Sequence, residues 1–207
     1  CYYNGQGVRQ DYYEAFRWYK AAAEQGFAYA QNGLGLCYYL GQGVRQDYYE
    51  AFRWFKAAAE QGHAEAQCRI GICYLKGKGV KQDFNEAFRW FKAATEQGYA
   101  PAQYNLGYCY YHGEGVKQDH KEAFRWFKAA AEQGHANAQF NLGLAYENGD
   151  GVEQDFKEAY YWYLIVYRNG NTVAEQFVKR IENKLIDQQK QEVQDRVNEW
   201  FSTHAEE

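Results

Sequence analysis

Trp18, Trp54, Trp90, Trp126 and Trp162 stand 36 residues apart. A strict period of that length leaves few folds open. Each copy is too small to bury its own apolar face, so the copies must stack and share a core. The segment around the second tryptophan, Asp47–Gly62, returns at 83–98 and 119–134 with few changes. It also occurs at 11–26, and in altered form at 155–170. The 207 residues therefore divide into a partial repeat at 1–26, repeats at 27–62, 63–98 and 99–134, a divergent repeat at 135–170, and a tail at 171–207. Together these are expected to form one continuous solenoid domain.

Each repeat reads as two helices. Helix A is expected over 28–40, 64–76, 100–112 and 136–148, with the motif Ala-x-Ala-Gln-x-x-Leu/Ile-Gly-x-Cys/Ala-Tyr. Gly35, Gly71, Gly107 and Gly143 lie inside it. An interior glycine costs about 1 kcal/mol against alanine, so a close helix contact should repay it. Ala57 and Ala58 of helix B are the expected partners. A Gly-x-Gly-Val loop, first at 5–11 with Val8, recurs after helix A at 41–47, 77–83, 113–119 and 149–155. Its first glycine suits a left-handed helix end, its second a tight reversal, and its valine a plug into the core. The loop has neither the third glycine of a dinucleotide fingerprint nor the lysine of a P-loop, and no strand precedes it.

Helix B opens on Asp-x-x-Glu, as in Asp47/Glu50 and its copies, which reads as a capping box rather than a pair of catalytic carboxylates. Ala51, Phe52, Phe55, Ala58 and Ala59 form its apolar stripe. Trp54 should lie as a plate against the next layer. Arg17, Arg53, Arg89 and Arg125 fall on the outer side beside acids, as a solvated face rather than an anion site. In the last repeat the surface segment turns apolar, from Ala159 to Val166, and needs a cover. Val173, Phe177 and Ile181 at helical spacing, then Val193, Val197, Trp200 and Phe201, supply two capping helices from the tail.

Several function classes are excluded. The net charge is −4, against the basic face of a nucleic-acid binder. No apolar run is long enough for membrane insertion. Of five cysteines, Cys1, Cys37, Cys73 and Cys109 share one column of the repeat, and Cys68 lies apart. Cysteines one full repeat apart are too distant for a disulfide framework, so they are expected as buried reduced thiols. No Cys or His spacing fits zinc, and no cofactor or metal is expected. His63 and His135 share a position with Phe27 and Tyr99 and read as packing rings. No nucleophile motif is present, so no enzyme is expected. Cys1-Tyr-Tyr matches Cys37-Tyr-Tyr, so the chain opens inside a repeat. Its true N-terminus is expected upstream, and the compartment is open between cytoplasmic and secreted or periplasmic.

The pattern A-x-x-x-L-G-x-x-Y-x-x-G-x-G-V-x-x-D-x-x-x-A-x-x-W-x-x-x-A-A-x-x-G resembles the Sel-1-like repeat, a relative of the tetratricopeptide repeat. The resemblance implies an all-α fold, an α/α right-handed superhelical solenoid with a C-terminal helical cap. It also implies adaptor or scaffold work through protein–protein contact, in bacterial signalling or host interaction, or in eukaryotic endoplasmic-reticulum degradation complexes. A cysteine-rich bacterial subgroup pairs its cysteines within each repeat, and those pairs are absent here.

Copies of the repeat can be compared with one another. Columns that hold the array should match, and columns that read a partner can differ. The differing columns of helix A are Tyr29, Glu65, Pro101 and Asn137; Asn32, Cys68, Tyr104 and Phe140; Leu36, Ile72, Tyr108 and Leu144; Tyr39, Leu75, Tyr111 and Glu147; and Leu40, Lys76, His112 and Asn148. They fall within roughly a 100° arc of the helix. By analogy with tetratricopeptide arrays this arc should line a concave groove that binds a protein or peptide, as a helix or an extended strand. On this reading Cys68 should be the least buried cysteine. A carbohydrate or cell-wall polymer, such as peptidoglycan, is the alternative occupant, because tyrosine-rich grooves also stack on sugar rings.

Overall fold

A computed structural model of the chain describes residues 2–5, 7 and 9–204. The readings made of Cys1 and of Val8 lie outside these. Helix B occupies α1 (Tyr12–Ala23), α3 (Tyr48–Glu60), α5 (Phe84–Thr95), α7 (His120–Glu132) and α9 (Phe156–Arg168). Helix A occupies α2 (Ala28–Leu40), α4 (Ala64–Lys76), α6 (Ala100–His112) and α8 (Ala136–Asn148). These four helix A spans are the expected ones. A 3-10 turn at Thr172–Ala174 then leads into α10 (Glu175–Glu182) and α11 (Asp187–Thr203). The helices gather into two compact units, one from residues up to 102 together with 114–116, the other from 103–113 and 117 onward.

The helix ends follow from their residues. Asp47 sits in extended backbone and its Oδ1 accepts from the amides of Tyr49 and Glu50. Asp11, Asp83, Asp119 and Asp155 do the same for their helices. The reciprocal half of the capping box does not form. The Asp47 amide instead donates to the Tyr38 carbonyl of the preceding helix, and Glu50 turns outward to Arg53 at 3.3 Å. The aspartate thus staples both helices of its hairpin. His63 and His135 are more than packing rings: their Nδ1 atoms accept from the Ala66 and Ala138 amides and cap α4 and α8.

Helix A closes on a left-handed glycine, as at Gly77 (φ 64°). The loop's second glycine has a further reason to lack a side chain. At Gly79 (φ 73°) a Cβ would collide with the Tyr48 carbonyl oxygen, where the loop lies against the first turn of the preceding helix B. The interior glycines also face something other than the expected alanines. A Cβ on Gly71 would stand 2.5 Å from the Phe91 ring, and one on Gly35 2.6 Å from Phe55. Glycine admits a whole phenyl ring at the hairpin seam, which is a larger apolar gain than an alanine contact would give.

The first unit packs α1 through α5 as successive antiparallel neighbours. Ala51, Phe55, Ile70 and Cys73 form one core, with Val80 of the loop against it. Trp54 packs on Ala23, Ala30 and Leu34, and Trp90 on Ala58, Ala59 and Ala66. Trp54 and Trp90 therefore cover the small residues of the hairpin before them. Trp18 is 64% exposed.

The second unit builds its core around α9, where Tyr160, Tyr163, Ile165 and Val166 are buried. Helices α10 and α11 supply the expected cover through Val178, Ile181, Val193 and Val197. Val173, expected in that stripe, is 60% exposed, because the 3-10 turn rotates it outward and brings Ala174 inward.

A glutamine ladder ties hairpin to hairpin. Gln31 and Gln67 donate to the Ala23 and Ala59 carbonyls of the preceding helix B. Their Oε1 atoms accept from Gln61 and Gln97 at 2.7 and 2.9 Å, and Gln103 accepts from Gln133 in the same way. At the last rung Asn169 replaces the glutamine and its side chain is one methylene shorter. Gln139 Oε1 is left buried without a hydrogen-bond partner.

Candidate functional site

The differing columns of helix A were expected on an open face, and the structure divides them. Asn32, Cys68 and Glu147 are buried, at 4%, 3% and 9% exposure, and so offer no surface to a partner. Cys68 is the most exposed of the described cysteines, but the others are at 0% and all four are interior thiols outside any disulfide.

Rings of the third and sixth columns meet residues that follow their own hairpin. His63 approaches Tyr29, and His135 stacks on Tyr104 at 4.8 Å. Phe177 of α10 meets Phe140 edge-on at the same separation. Burial holds the His135 pKa below its ordinary value, which keeps the imidazole neutral and its Nδ1 free to accept the Ala138 amide.

Glu147 has its own explanation. Where the other hairpins carry a phenylalanine or Tyr19, the last carries Tyr163, whose hydroxyl is buried and needs an acceptor. It donates to Glu147 Oε2 at 2.8 Å, and Arg180 of α10 donates to the same oxygen at 2.6 Å. Burial and the neighbouring carboxylate together push the Tyr163 pKa far up. Glu147 is therefore part of the cap's anchor.

In the first unit the remaining residues of these columns are scattered. Tyr29, Leu40 and Lys76 are exposed. Glu65 pairs with Arg69 at 2.5 Å. Leu36 and Tyr39 lie against the core around Phe55, and Ile72 and Leu75 are half-buried.

The second unit brings six of them together. Tyr104, Tyr108, Tyr111 and His112 of α6 and Leu144 and Asn148 of α8 line one cavity of about 260 Å³. Ala123, Phe124 and Phe127 of α7 form its floor, and His120, Asn141 and Asp150 complete the wall. Sequence comparison did not single out the floor, because the α7 residues are constant from copy to copy. Only the side chains standing over them differ.

The cavity is an aromatic box with a polar lip. Tyr108 and Tyr111 pack on His112 at ring separations of 4.2 and 5.1 Å, and Tyr111 meets His120 edge-on at 4.9 Å. His120 Nδ1 is buried without a hydrogen-bond partner. Asp150 Oδ2 accepts from Tyr111 Oη at 3.4 Å and from Asn148 Nδ2 at 3.3 Å. Burial raises the Tyr104 pKa. Burial and the Asp150 charge raise that of Tyr111, so both phenols stay protonated at neutral pH. Such a box can hold a side chain by apolar contact, ring stacking and a few hydrogen bonds.

The exposed arginines of helix B are of a different kind. Arg17, Arg53, Arg89 and Arg125 pair with the glutamate three residues earlier, at 2.7 to 3.4 Å, and are largely solvated. Among the described residues no cluster could hold a metal ion, and no helix is long and apolar enough to cross a membrane.

The family model described as Sel1 repeat matches residues 1–27, 28–63, 64–99, 100–135 and 136–171. A Sel1 repeat protein from Oxalobacter formigenes is similar at 38% identity and TM-score 0.79, over 86% of this chain and 70% of that one. A protective antigen of uropathogenic Escherichia coli strains, displaying an SLR fold, is similar at 37% identity and TM-score 0.78, over 87% of this chain. The chain spans 38% of the length of that antigen. A putative Sel1 repeat protein from Klebsiella pneumoniae, at 21% identity and TM-score 0.54, shares the fold. No curated protein matches the chain in sequence.

Proposed function

The chain belongs to the Sel1 repeat family, and from that premise we propose that it is a non-enzymatic scaffold that binds a protein or peptide. The binding surface is the variable face of α6 and α8. Sel1 repeat arrays generally serve protein–protein contact. What supports the finer reading is one convergence: six side chains marked by their variation between copies surround a single aromatic cavity. Rigid aromatic anchors over a preformed pocket are the features that concentrate binding energy in peptide recognition.

The test is selection of peptides from a random display library on the immobilised chain, followed by titration of the winners. Tyr108→Ala/Tyr111→Ala should weaken them roughly tenfold or more, since each lost anchor costs more than about 1 kcal/mol. Unchanged affinity would remove the cavity from the binding surface. Retention on peptidoglycan that falls with the same variant, without any peptide selected, would favour the cell-wall alternative.

A further inference from the structure

The repeat supplies its own example of what sits in this position. In the first unit the aromatic pair Tyr39 and Tyr48 is occupied from within the chain. Lys78, from the loop of the following repeat, places its Nζ 4.9 Å from the Tyr39 ring centre and 4.5 Å from that of Tyr48. It also donates to Tyr48 Oη at 3.2 Å. Beyond α9 one ring of the pair is met in the same way: Lys184 Nζ lies 4.1 Å from the ring of Phe156, the counterpart of Tyr48 in the last repeat. In both places an ammonium rests on the ring that opens helix B.

Two repeats after Tyr39, Tyr48 and Lys78 come Tyr111, His120 and Asp150. The aromatic pair is kept and the internal cation is replaced by a carboxylate. The space beside the rings is now the open cavity of about 260 Å³. Asp150 makes no ion pair among the described residues; its carboxylate has only the Tyr111 hydroxyl and the Asn148 amide. His120 offers a buried nitrogen without a partner. An aromatic box with an unneutralised carboxylate at its lip has the charge pattern that attracts an ammonium group.

We infer that the cavity between α6, α7 and α8 receives a lysine side chain of the partner, its ammonium over the Tyr111 and His120 rings and against Asp150. This specifies the occupant of the surface proposed above and rests on that reading for the partner's being a peptide. The methylene stem lies along Tyr104, Phe124, Phe127 and Leu144, where the wall is apolar. The partner's lysine takes the place that Lys78 fills internally two repeats earlier.

The experiment uses the whole chain and three small probes: the N-methylamides of Nα-acetyl-lysine, Nα-acetyl-norleucine and Nα-acetyl-arginine. Binding is followed by amide and aromatic NMR shifts. The lysine probe should shift Tyr111, His120 and Asp150 and bind about tenfold more tightly than norleucine, which has the same stem without the charge. Asp150→Asn should remove most of that preference. Asp150→Lys should abolish the lysine response by filling the box from within, as Lys78 does, and should leave the helical fold intact by circular dichroism. Equal binding of lysine and norleucine, no lysine response in the wild-type chain, a stronger arginine response, or an undiminished lysine response in Asp150→Lys would overturn the inference.

The two proposals fail separately. Selected peptides that need Tyr108 and Tyr111 but bind Asp150→Lys as well as the wild type would leave the scaffold reading standing and sink this one. A lysine-specific response at Asp150 in a chain that selects no peptide would do the reverse.

Discussion

At the scale of residues, the array is joined by repeated polar contacts between apolar surfaces, and one of them is broken. Gln31, Gln67 and Gln103 each accept a bond from the glutamine that ends helix B of the same repeat. Gln139 does not, because Asn169 falls short. Asn169→Gln should complete the rung and raise unfolding stability by about 1 kcal/mol, the usual net gain for one hydrogen bond. Urea denaturation would measure it, and an unchanged midpoint would mean that the rungs do not stabilise.

The cysteine column gives a second expectation. Burial pushes the Cys37 and Cys73 thiols up to about 11 from an ordinary 9.0. A thiol that stays protonated when folded, but ionises near pH 9 when unfolded, supports the fold fully below pH 9. That support is lost as pH rises toward 11. The fourth repeat carries Ala145 at this position, so Cys37→Ala/Cys73→Ala is a tolerated exchange. Stability of the wild-type chain should therefore fall more steeply between pH 9 and 11 than that of the double variant. Parallel pH curves would contradict it.

At the scale of elements, much was legible because the signals are local. Helix A begins and ends where its caps and glycines place it, and aspartate marks every start of helix B. The partners across the seams were less legible. In sequence Gly71 reads as facing an alanine, yet it meets the Phe91 ring, because a small residue announces a close neighbour without saying which one. The variable columns misled in the same way. Phe140 varies because Phe177 packs on it, and Glu147 because Tyr163 needs an acceptor, so variation between copies also records a change of neighbour. The tryptophan column shows how context sets the energy of one motif position. Trp90 lies on Ala58, Ala59 and Ala66, whereas Trp18 is 64% exposed. Trp90→Ala should cost about 3 kcal/mol, the low end for a large aromatic because Trp90 is half-buried. Trp18→Ala should cost less than about 1 kcal/mol. Thermal melts of both variants would check this, and equal losses would deny that Trp90 seals the hairpin before it.

At the scale of the whole molecule, the chain devotes nearly identical residues to joining its hairpins, and in the second unit six of its differing side chains stand over a constant aromatic floor. In the first unit an internal lysine fills the aromatic pair. In the second the corresponding place is open and acidic. The proposed partner sits there and not on the solvated arginines. A photo-reactive phenylalanine analogue placed at Tyr108, and separately at Arg125, tests this most directly, using a peptide selected on the wild-type chain. Illumination should give a covalent adduct from position 108 and none from 125. Adducts from 125 alone would put the binding surface on the outer wall and contradict the account.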